Sequence, residues 1–256
     1  QAGIMTTDRF PKMAARKAFV GGKEVTLCGI AKGAGMIQPH MATMLAYVMT
    51  DADIDREALD GAFRQAVDAS FNIVTVDGCM STNDTALILA SGMAGNKPIR
   101  RGSRSLSVFR AALSDLLLEL ARALVRDGEG ATKVVRIVVE EAKTLRDAER
   151  VAYAIGNSNL VKTAFFGGDP NWGRIISAAG SVGINLPADR VRLFFEDVLV
   201  FSAGTGVPGN QPELAEIMKK SEITIRLALG MGRRTWTLHA ADLSFDYVKI
   251  NAHYHT

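Results

Sequence analysis

The sequence predicts an α/β fold, α+β in the strict sense, in which helices pack on sheet layers. A helix of more than six turns is predicted over residues 103–125, because its leucines and Phe109 fall on one broad face. Elsewhere, apolar runs of strand length alternate with shorter helical patterns as far as Val191, and short strands dominate after it. With 256 residues and 48% hydrophobic content, the chain can bury one sizeable core or two modest ones.

The first half begins with a turn at Gly21 and Gly22 between two apolar runs. A helix is predicted after the cap-like residues 50–53, because apolar side chains recur at spacings of three and four from Leu59 to Val67. Strands are predicted at residues 25–31, 44–49, 73–77 and 86–90.

The second half is predicted to contain three further helices and a run of strands. Gly230, Met231 and Gly232 predict a hairpin turn between the last two strands. The helices are placed at residues 145–155, directly after the turn at 167–174 so as to include Ile175 and Ile176, and at residues 212–220. The strands are placed at residues 133–140, 160–166, 191–195, 198–201, 223–229 and 235–239.

Composition excludes several classes of function. The formal net charge of +3 comes from interspersed charges, so no basic stripe for a nucleic acid is present. The apolar runs are too short to span a bilayer, and no membrane partner is expected. Cys28 and Cys79 lack metal-type spacing and are interpreted as small buried residues in a reducing compartment. His253 and His255 have no nearby cysteine or carboxylate cluster, so no metal site is predicted.

The most informative stretch runs from Lys32 to Leu45. Gly33 and Gly35 permit backbone conformations that a side chain forbids, and Pro39 prevents a continuous helix. Thr43 is therefore presented by an irregular segment just before a strand, where its hydroxyl could serve as an activated nucleophile. From these residues alone, a glycine-rich loop that only leads into a core strand is the favoured interpretation. A phosphate loop is disfavoured because the Gly-Lys-Ser/Thr ending is missing.

The same stretch resembles the self-cleavage segment of the ornithine acetyltransferase (glutamate N-acetyltransferase) family. The resemblance extends from one end of the chain to the other, in family order, although Arg9 stands where the family usually has threonine. Four further motifs carry it: Ile4-Met5-Thr6-Thr7-Asp8, Ser81-Thr82-Asn83-Asp84-Thr85, Asp169-Pro170-Asn171-Trp172-Gly173-Arg174, and Asn251-x-x-Tyr254-x-Thr256.

The resemblance implies a reaction and its residues. Family members cut themselves at an Ala-Thr bond, here Ala42–Thr43, and the new N-terminal threonine becomes the nucleophile. It then takes an acetyl group from N-acetylornithine and passes it to glutamate, possibly using acetyl-CoA as a second donor. No metal or organic cofactor is needed. The matched substrate-binding positions are Thr6, Lys32, Thr43, Glu129, Asn251 and Thr256.

The resemblance also implies an organisation. The fold should resemble that of the N-terminal-nucleophile hydrolases, with a nucleophile-bearing core at 1–131, a second lobe at 132–256 and the site between them. An upstream segment carrying the family's oxyanion-hole Thr-Gly pair is expected to precede Gln1. The cleaved chains are expected to pair as a heterodimer, to associate into a heterotetramer and to work in the cytoplasm.

Structural alternatives remain open at four of these positions. The motif Thr6-Thr7-Asp8 suits a helix cap or turn, and Glu129 suits a solvated turn. Residues 81–85 are either a plain loop or a polar network that braces the nucleophile. Residues 169–174 either bind an anion at a helix start or form a cap with a packed Trp172.

Two other functions are compatible with parts of the pattern. A self-processing amidase or aminopeptidase would use the same nucleophile but pass the acyl group to water. A non-catalytic module could bind a phosphorylated ligand through Gly33, Gly35 and residues 169–174, and would remain uncut.

Overall fold

Two sheets, one of four strands and one of seven, organise the part of the chain that the structure describes. The computed structural model describes residues 1–38 and 44–253. The chain forms two compact units: unit 1 comprises Gln1–Val74 and Cys79–Asp127, and unit 2 comprises Thr75–Gly78 and Gly128–Thr256.

The strands and α-helices of this part follow in chain order. The strands are β1 (Lys12–Val20), β2 (Lys23–Lys32), β3 (Leu45–Thr50), β4 (Val74–Thr75), β5 (Thr85–Ala90), β6 (Val134–Ala142), β7 (Arg192–Phe195), β8 (Val198–Ser202), β9 (Thr205–Gly206), β10 (Glu222–Ala228) and β11 (Arg234–Ala241). The helices are α1 (Arg56–Asp68), α2 (Arg104–Arg126), α3 (Leu145–Gly156), α4 (Asn159–Phe166), α5 (Trp172–Gly180), α6 (Gln211–Met218) and α7 (Phe245–His253).

Unit 1 is built on a sheet in the order β1-β2-β3-β5. β1 and β2 form a hairpin in which Val20 pairs with Lys23, so the turn consists of Gly21 and Gly22 alone. Both glycines have positive φ, +58° and +85°, as the tight turn that matches strand twist requires. β3 pairs antiparallel with β2 and parallel with β5. The predicted turn is confirmed.

Helix α2 covers one face of this sheet. Ser103 caps it by accepting a hydrogen bond from Leu106 N. Its leucines are buried, and Leu120 lies so close to β2 that a Cβ on Gly29 would be 2.8 Å from Leu120 Cδ1. The absence of a side chain at Gly29 thus lets helix and sheet approach closely.

The opposite face of the same sheet exposes large apolar side chains. Cys28 lies on this face, and Cys79 is exposed in the loop before β5, so the prediction that both cysteines are buried is wrong. A strand alternates between two faces, and only one face of β2 packs on α2. The exposed apolar residues are Met13, Phe19, Met49, Leu87 and Leu89.

Helix α1 starts later than the sequence predicts. Its N-cap is Asp55, whereas Asp51 instead accepts a hydrogen bond from Thr26 N on β2. An aspartate carboxylate can cap a helix or accept a hydrogen bond from a nearby backbone amide, and Asp51 does the latter. Similarly, the strand predicted at 73–77 is reduced to β4, because a 3-10 turn occupies Phe71–Ile73.

Unit 2 contains strands in the order β4-β11-β6-β10-β7-β8-β9. β6 lies between β10, to which it is parallel, and β11, to which it is antiparallel. The predicted hairpin at Gly230–Gly232 is therefore wrong, because the turn carries the chain across the end of β6. Met231 N and Gly232 N both donate to Glu141 O, and these bonds tie the crossing to that strand.

Helices α3, α4 and α5 pack around the apolar core of unit 2. The strand predicted at 160–166 is wrong, since these residues lie in α4. Ser158 Oγ accepts from Val161 N at the start of the helix, and Gly167 is its C-cap. These capping residues favour a helix more strongly than the β-branched and aromatic residues of the segment favour a strand. Val161 and Phe165 are buried on the helix face that packs on the core.

Within residues 1–38 and 44–253, no helix combines the length and apolar content needed to cross a bilayer. The remaining predicted helices and strands of the second half are confirmed to within two residues at each end.

Candidate active site

Lys32 and Thr6 are in contact in unit 1. Lys32 is the last residue of β2 and is 9% exposed. Its Nζ donates a hydrogen bond to Thr6 Oγ1 at 3.1 Å. Thr6 itself is exposed. The pair therefore presents an ammonium group and a hydroxyl together, a combination that suits a carboxylate ligand.

The backbone after Lys32 is irregular. Gly33 has a φ of +142°, and a Cβ there would lie 2.9 Å from Ile37 Cδ1. Met36 has a φ of +54°, which a residue with a side chain adopts only at some cost in free energy. Ile37 is fully buried and fixes the segment to the core of unit 1.

The predicted cleavage site, Ala42 and Thr43, lies outside the described residues. The chain is described again from Met44, which is fully buried and directly precedes β3.

Asp84 holds the start of β3. Its Oδ1 accepts a hydrogen bond from Met44 N, and Thr85 N donates to Met44 O at 2.8 Å, so the parallel pairing of β3 and β5 extends by one residue. Burial raises the pKa of the Asp84 carboxyl, although hydrogen bonds from the Met44 amide and its own amide oppose the shift. This contact supports the interpretation of residues 81–85 as a brace, here on the residue that follows Thr43 in sequence.

Asp8 belongs to a local turn and also to a longer-range contact. Its Oδ2 accepts from Thr6 N at 3.1 Å, and its Oδ1 accepts from Gly33 N at 2.8 Å. Burial alone would raise the pKa of Asp8, but hydrogen bonds from Lys12, Gly33 and Thr6 and the charge of Lys12 together hold it below its usual value. The backbone bends at Thr6 and Thr7, and the Asp8 carboxylate also reaches Gly33, 25 residues along the chain.

Glu129 and Asn251 are in contact in unit 2. Asn251 Nδ2 donates to Glu129 Oε2 at 2.8 Å and to Tyr247 O at 3.0 Å. Glu129 is half-buried and Asn251 is exposed on the last turn of α7. Glu129 is thus not simply a solvated turn residue. Thr256, the other predicted contact of the tail, lies outside the described residues.

The motif at residues 169–174 is a capped helix start. Asn171 Oδ1 accepts from Arg174 N at 3.0 Å, and the Arg174 guanidinium donates to Leu160 O at 2.8 Å. The Trp172 ring packs on Phe201 with centroids 5.2 Å apart. The side chain of Asn171 already occupies an amide that an anion would need, so the cap-and-packing alternative is favoured.

A buried lysine of unit 2 escaped the sequence reasoning. Lys162 lies on α4, is 4% exposed, and its Nζ donates to Val76 O at 2.7 Å and to Ala241 O. Burial lowers its pKa to about 8, against the opposing charges of Asp242 and Asp77. No sequence signal identified it, because a lysine in an apolar run is usually solvent-exposed.

The chain is an α/β protein whose fold resembles that of the N-terminal-nucleophile hydrolases. The model of the ArgJ family matches residues 1–256, and the chain belongs to that family. The resemblance carried by the motifs and the predicted fold class are both confirmed.

Similar proteins include the arginine biosynthesis bifunctional protein ArgJ of Geobacter sulfurreducens, 51% identical over 256 residues, covering 100% of this chain and 65% of that protein. The protein of the same name from Symbiobacterium thermophilum is 47% identical over 253 residues, covering 99% and 63%. The chain thus spans slightly less than two thirds of the length of these relatives.

A crystal structure of arginine biosynthesis bifunctional protein ArgJ from Bacillus halodurans is also similar. It superposes with a TM-score of 0.76 at 36% identity, covering 80% of this chain and 96% of that chain.

Proposed function

We propose that this protein is a self-processing acyltransferase that moves an acetyl group from N-acetylornithine to the amine of glutamate. The observation that carries the proposal is the match of the ArgJ family model to residues 1–256, with relatives about half identical that are named as arginine biosynthesis proteins. The contacts of Lys32 with Thr6 and of Asp84 with Met44 support it.

In the first step, the Thr43 hydroxyl attacks the carbonyl carbon of Ala42 and displaces the Thr43 nitrogen. Water then hydrolyses the resulting ester, which frees the hydroxyl and an N-terminal amine. Backbone strain favours such an attack, and the positive φ values of Gly33 and Met36 are consistent with a strained approach to this segment.

In the second step, the free amine of Thr43 acts as the base for its own hydroxyl. An α-amino group has a reference pKa of about 7.7–8.0, so roughly a tenth to a sixth of it is unprotonated at pH 7 and can accept a proton. The hydroxyl oxygen attacks the acetyl carbonyl, and ornithine leaves with the proton on its amine. The glutamate amine then attacks the acetyl-threonine ester and restores the hydroxyl.

Five further residues are proposed to bind the substrates: Thr6, Lys32, Glu129, Asn251 and Thr256. Lys32 and Thr6 would bind a substrate carboxylate, because ammonium and hydroxyl donors lie 3.1 Å apart. Glu129 would attract the cationic δ-ammonium of ornithine, with its carboxylate oriented by Asn251. Thr256 is proposed as a contact from the C-terminal tail.

We further propose that the cleaved chains stay together as a heterodimer, that heterodimers pair into a heterotetramer, and that the protein works in the cytoplasm. Acetyl-CoA is proposed as a second donor, since the relatives are named bifunctional. Native mass spectrometry tests the assembly, and a donor assay with acetyl-CoA tests the second activity.

The deciding experiment is intact-mass measurement under denaturing conditions, on wild type and on Thr43→Ala and Thr43→Ser variants. Wild type should yield fragments 1–42 and 43–256, Thr43→Ala should remain uncut, and Thr43→Ser should still be cut because it keeps the hydroxyl. An alanine variant that is still cut would eliminate Thr43 as the nucleophile.

Product analysis then separates transfer from hydrolysis. With N-acetylornithine alone, fragment 43–256 should gain the mass of one acetyl group. Adding glutamate should remove that mass and produce N-acetylglutamate. Acetate as the sole product would instead identify an amidase, in which water takes the acyl group.

A further inference from the structure

The Asp8 carboxylate links the two residues proposed to bind a substrate carboxylate. Oδ2 accepts from Thr6 N, and Oδ1 accepts from Gly33 N, which directly follows Lys32. Lys32 Nζ donates to Thr6 Oγ1, and this hydrogen bond closes a ring formed by Thr6, Asp8, Gly33 and Lys32. The Asp8 side chain therefore holds together two segments that lie 25 residues apart in the sequence.

The ring is anchored from its interior side by a buried lysine. Lys12 Nζ lies 2.6 Å from Asp8 Oδ1 and 2.5 Å from Asp127 Oδ2, and all three side chains are 0% exposed. Asp127 is in turn held by the Arg9 amide and guanidinium. The position of Asp8 is thus fixed by the core of unit 1, independently of any ligand.

Stability alone does not account for this arrangement. Charges removed from water lose hydration, and a buried ion pair is often no more stabilising than an apolar replacement. What an apolar residue at position 8 could not do is accept hydrogen bonds from Thr6 N and Gly33 N together.

We propose that Asp8 is a positioning residue that sets the distance between Thr6 Oγ1 and Lys32 Nζ. The proposal rests on the proposed function, in which these two groups bind one carboxylate. An ammonium group has three hydrogens, and the contact with Thr6 uses one, which directs the others. Hydrogen bonds weaken steeply when donor and acceptor are misplaced or misaligned, so binding of a carboxylate by this pair depends on the distance between its two groups.

The test compares Asp8→Asn with Asp51→Asn. Asparagine at position 8 has one acceptor oxygen and turns an NH₂ group toward donors, so the ring loses at least one bond. Asp51 is the matched control, because its carboxylate also accepts from a backbone amide, Thr26 N, which lies toward the other end of β2. Asp8→Asn should raise the KM for N-acetylornithine and for glutamate by about tenfold or more, with a smaller change in kcat. Asp51→Asn should leave both constants unchanged.

A second readout does not depend on catalysis. Lys32 is nearly buried and held by Thr6, so it should react slowly with an amine-labelling reagent followed by mass spectrometry. Labelling of Lys32 should accelerate several-fold in Asp8→Asn and stay at the wild-type rate in Asp51→Asn. An unchanged Lys32 rate in Asp8→Asn would overturn the proposal. If labelling accelerates while wild type neither cuts itself nor transfers acetyl, Asp8 holds the pair but the proposed function is wrong.

A measurement on wild type covers the case in which Asp8→Asn does not fold. The amide signals of Thr6 and Gly33 should shift together in an NMR pH titration, with one midpoint below the ordinary aspartate pKa of 3.8. Two different midpoints would mean that the amides do not share the Asp8 carboxylate and would refute the ring.

Discussion

Each unit buries a lysine, and the two lysines are held in opposite ways. Lys12 in unit 1 lies between two carboxylates, Asp8 and Asp127, with side chains fully removed from solvent. Lys162 in unit 2 donates to two backbone carbonyls, Val76 O and Ala241 O. Carbonyl oxygens accept hydrogen bonds but carry no full charge to offset the lost hydration of an ammonium group. Unit 1 has therefore buried an ion cluster, whereas unit 2 has buried an amine whose pKa falls to about 8.

The largest effect is expected from Lys12→Met. This change leaves Asp8 and Asp127 buried without their shared cation, and breaking a buried pair costs about 3–5 kcal/mol. Urea denaturation measures the loss in free energy of unfolding. Lys17→Met on the same strand is the control, since its ion pair with Glu24 is exposed and should contribute little. The triple change of Lys12 to Met with Asp8 and Asp127 to Asn should recover much of the loss, and no recovery would contradict charge burial as the cause.

Lys162→Met should change the pH dependence of stability. The folded chain releases the Lys162 proton near pH 8, and the unfolded chain near 10.5, so between these values the unfolded chain binds more protons. The free energy of unfolding of wild type should therefore rise with pH across this window, by up to about 3 kcal/mol relative to the variant.

Urea midpoints of wild type and Lys162→Met from pH 7 to pH 10.5 measure this difference. Lys133→Met controls for lost hydrogen bonds, because Lys133 also donates to two carbonyls, Met218 O and Lys220 O, at a less buried position. A wild-type advantage that shrinks with rising pH would reverse the sign and refute the assignment.

The units also differ in which element supplies the glycine at a close helix–sheet contact. In unit 1 it is strand residue Gly29 against Leu120, and in unit 2 it is helix residue Gly156 against Leu238. Gly29→Ala should cost about 1–3 kcal/mol through overpacking, and Gly156→Ala less, because alanine favours a helix. Gly61→Ala in α1 meets nothing within 4 Å and should instead stabilise, by about 1 kcal/mol. Thermal unfolding of the three variants gives the order, and a stabilising Gly29→Ala would contradict the packing.

The smallest effects are expected at the helix caps. Ser103 accepts from Leu106 N in unit 1, and Thr144 accepts from Asp147 N in unit 2, so alanine at either position should cost about 1 kcal/mol. Asp55 starts α1 without a side-chain cap bond, and Asp55→Ala should cost less. Equal losses at all three positions, measured by denaturation, would show that the cap bonds are not the cause.

The candidate site shows what local patterns can and cannot reveal. The family resemblance pointed to Thr6, Lys32, Glu129 and Asn251. The structure brings Thr6 into contact with Lys32, and Glu129 into contact with Asn251. The role of Asp8 was not predictable, because an aspartate after two threonines suits a local turn and nothing in the sequence points to Gly33. Lys162 was missed for a similar reason, since its partners are backbone carbonyls, which leave no trace in a sequence.

The sequence by itself determined the elements whose cause is local. Gly21 and Gly22 specify the first hairpin because only a tight turn uses two positive φ values in succession, and the leucine spacing specifies α2. Only the tertiary structure decided which strands pair and where buried charges find partners. The turn at Gly230–Gly232 connects strands on either side of β6 rather than a hairpin, because β6 competes for the same hydrogen-bonding edges. Such choices depend on contacts between residues that are far apart in the sequence, and these contacts form only when the chain folds.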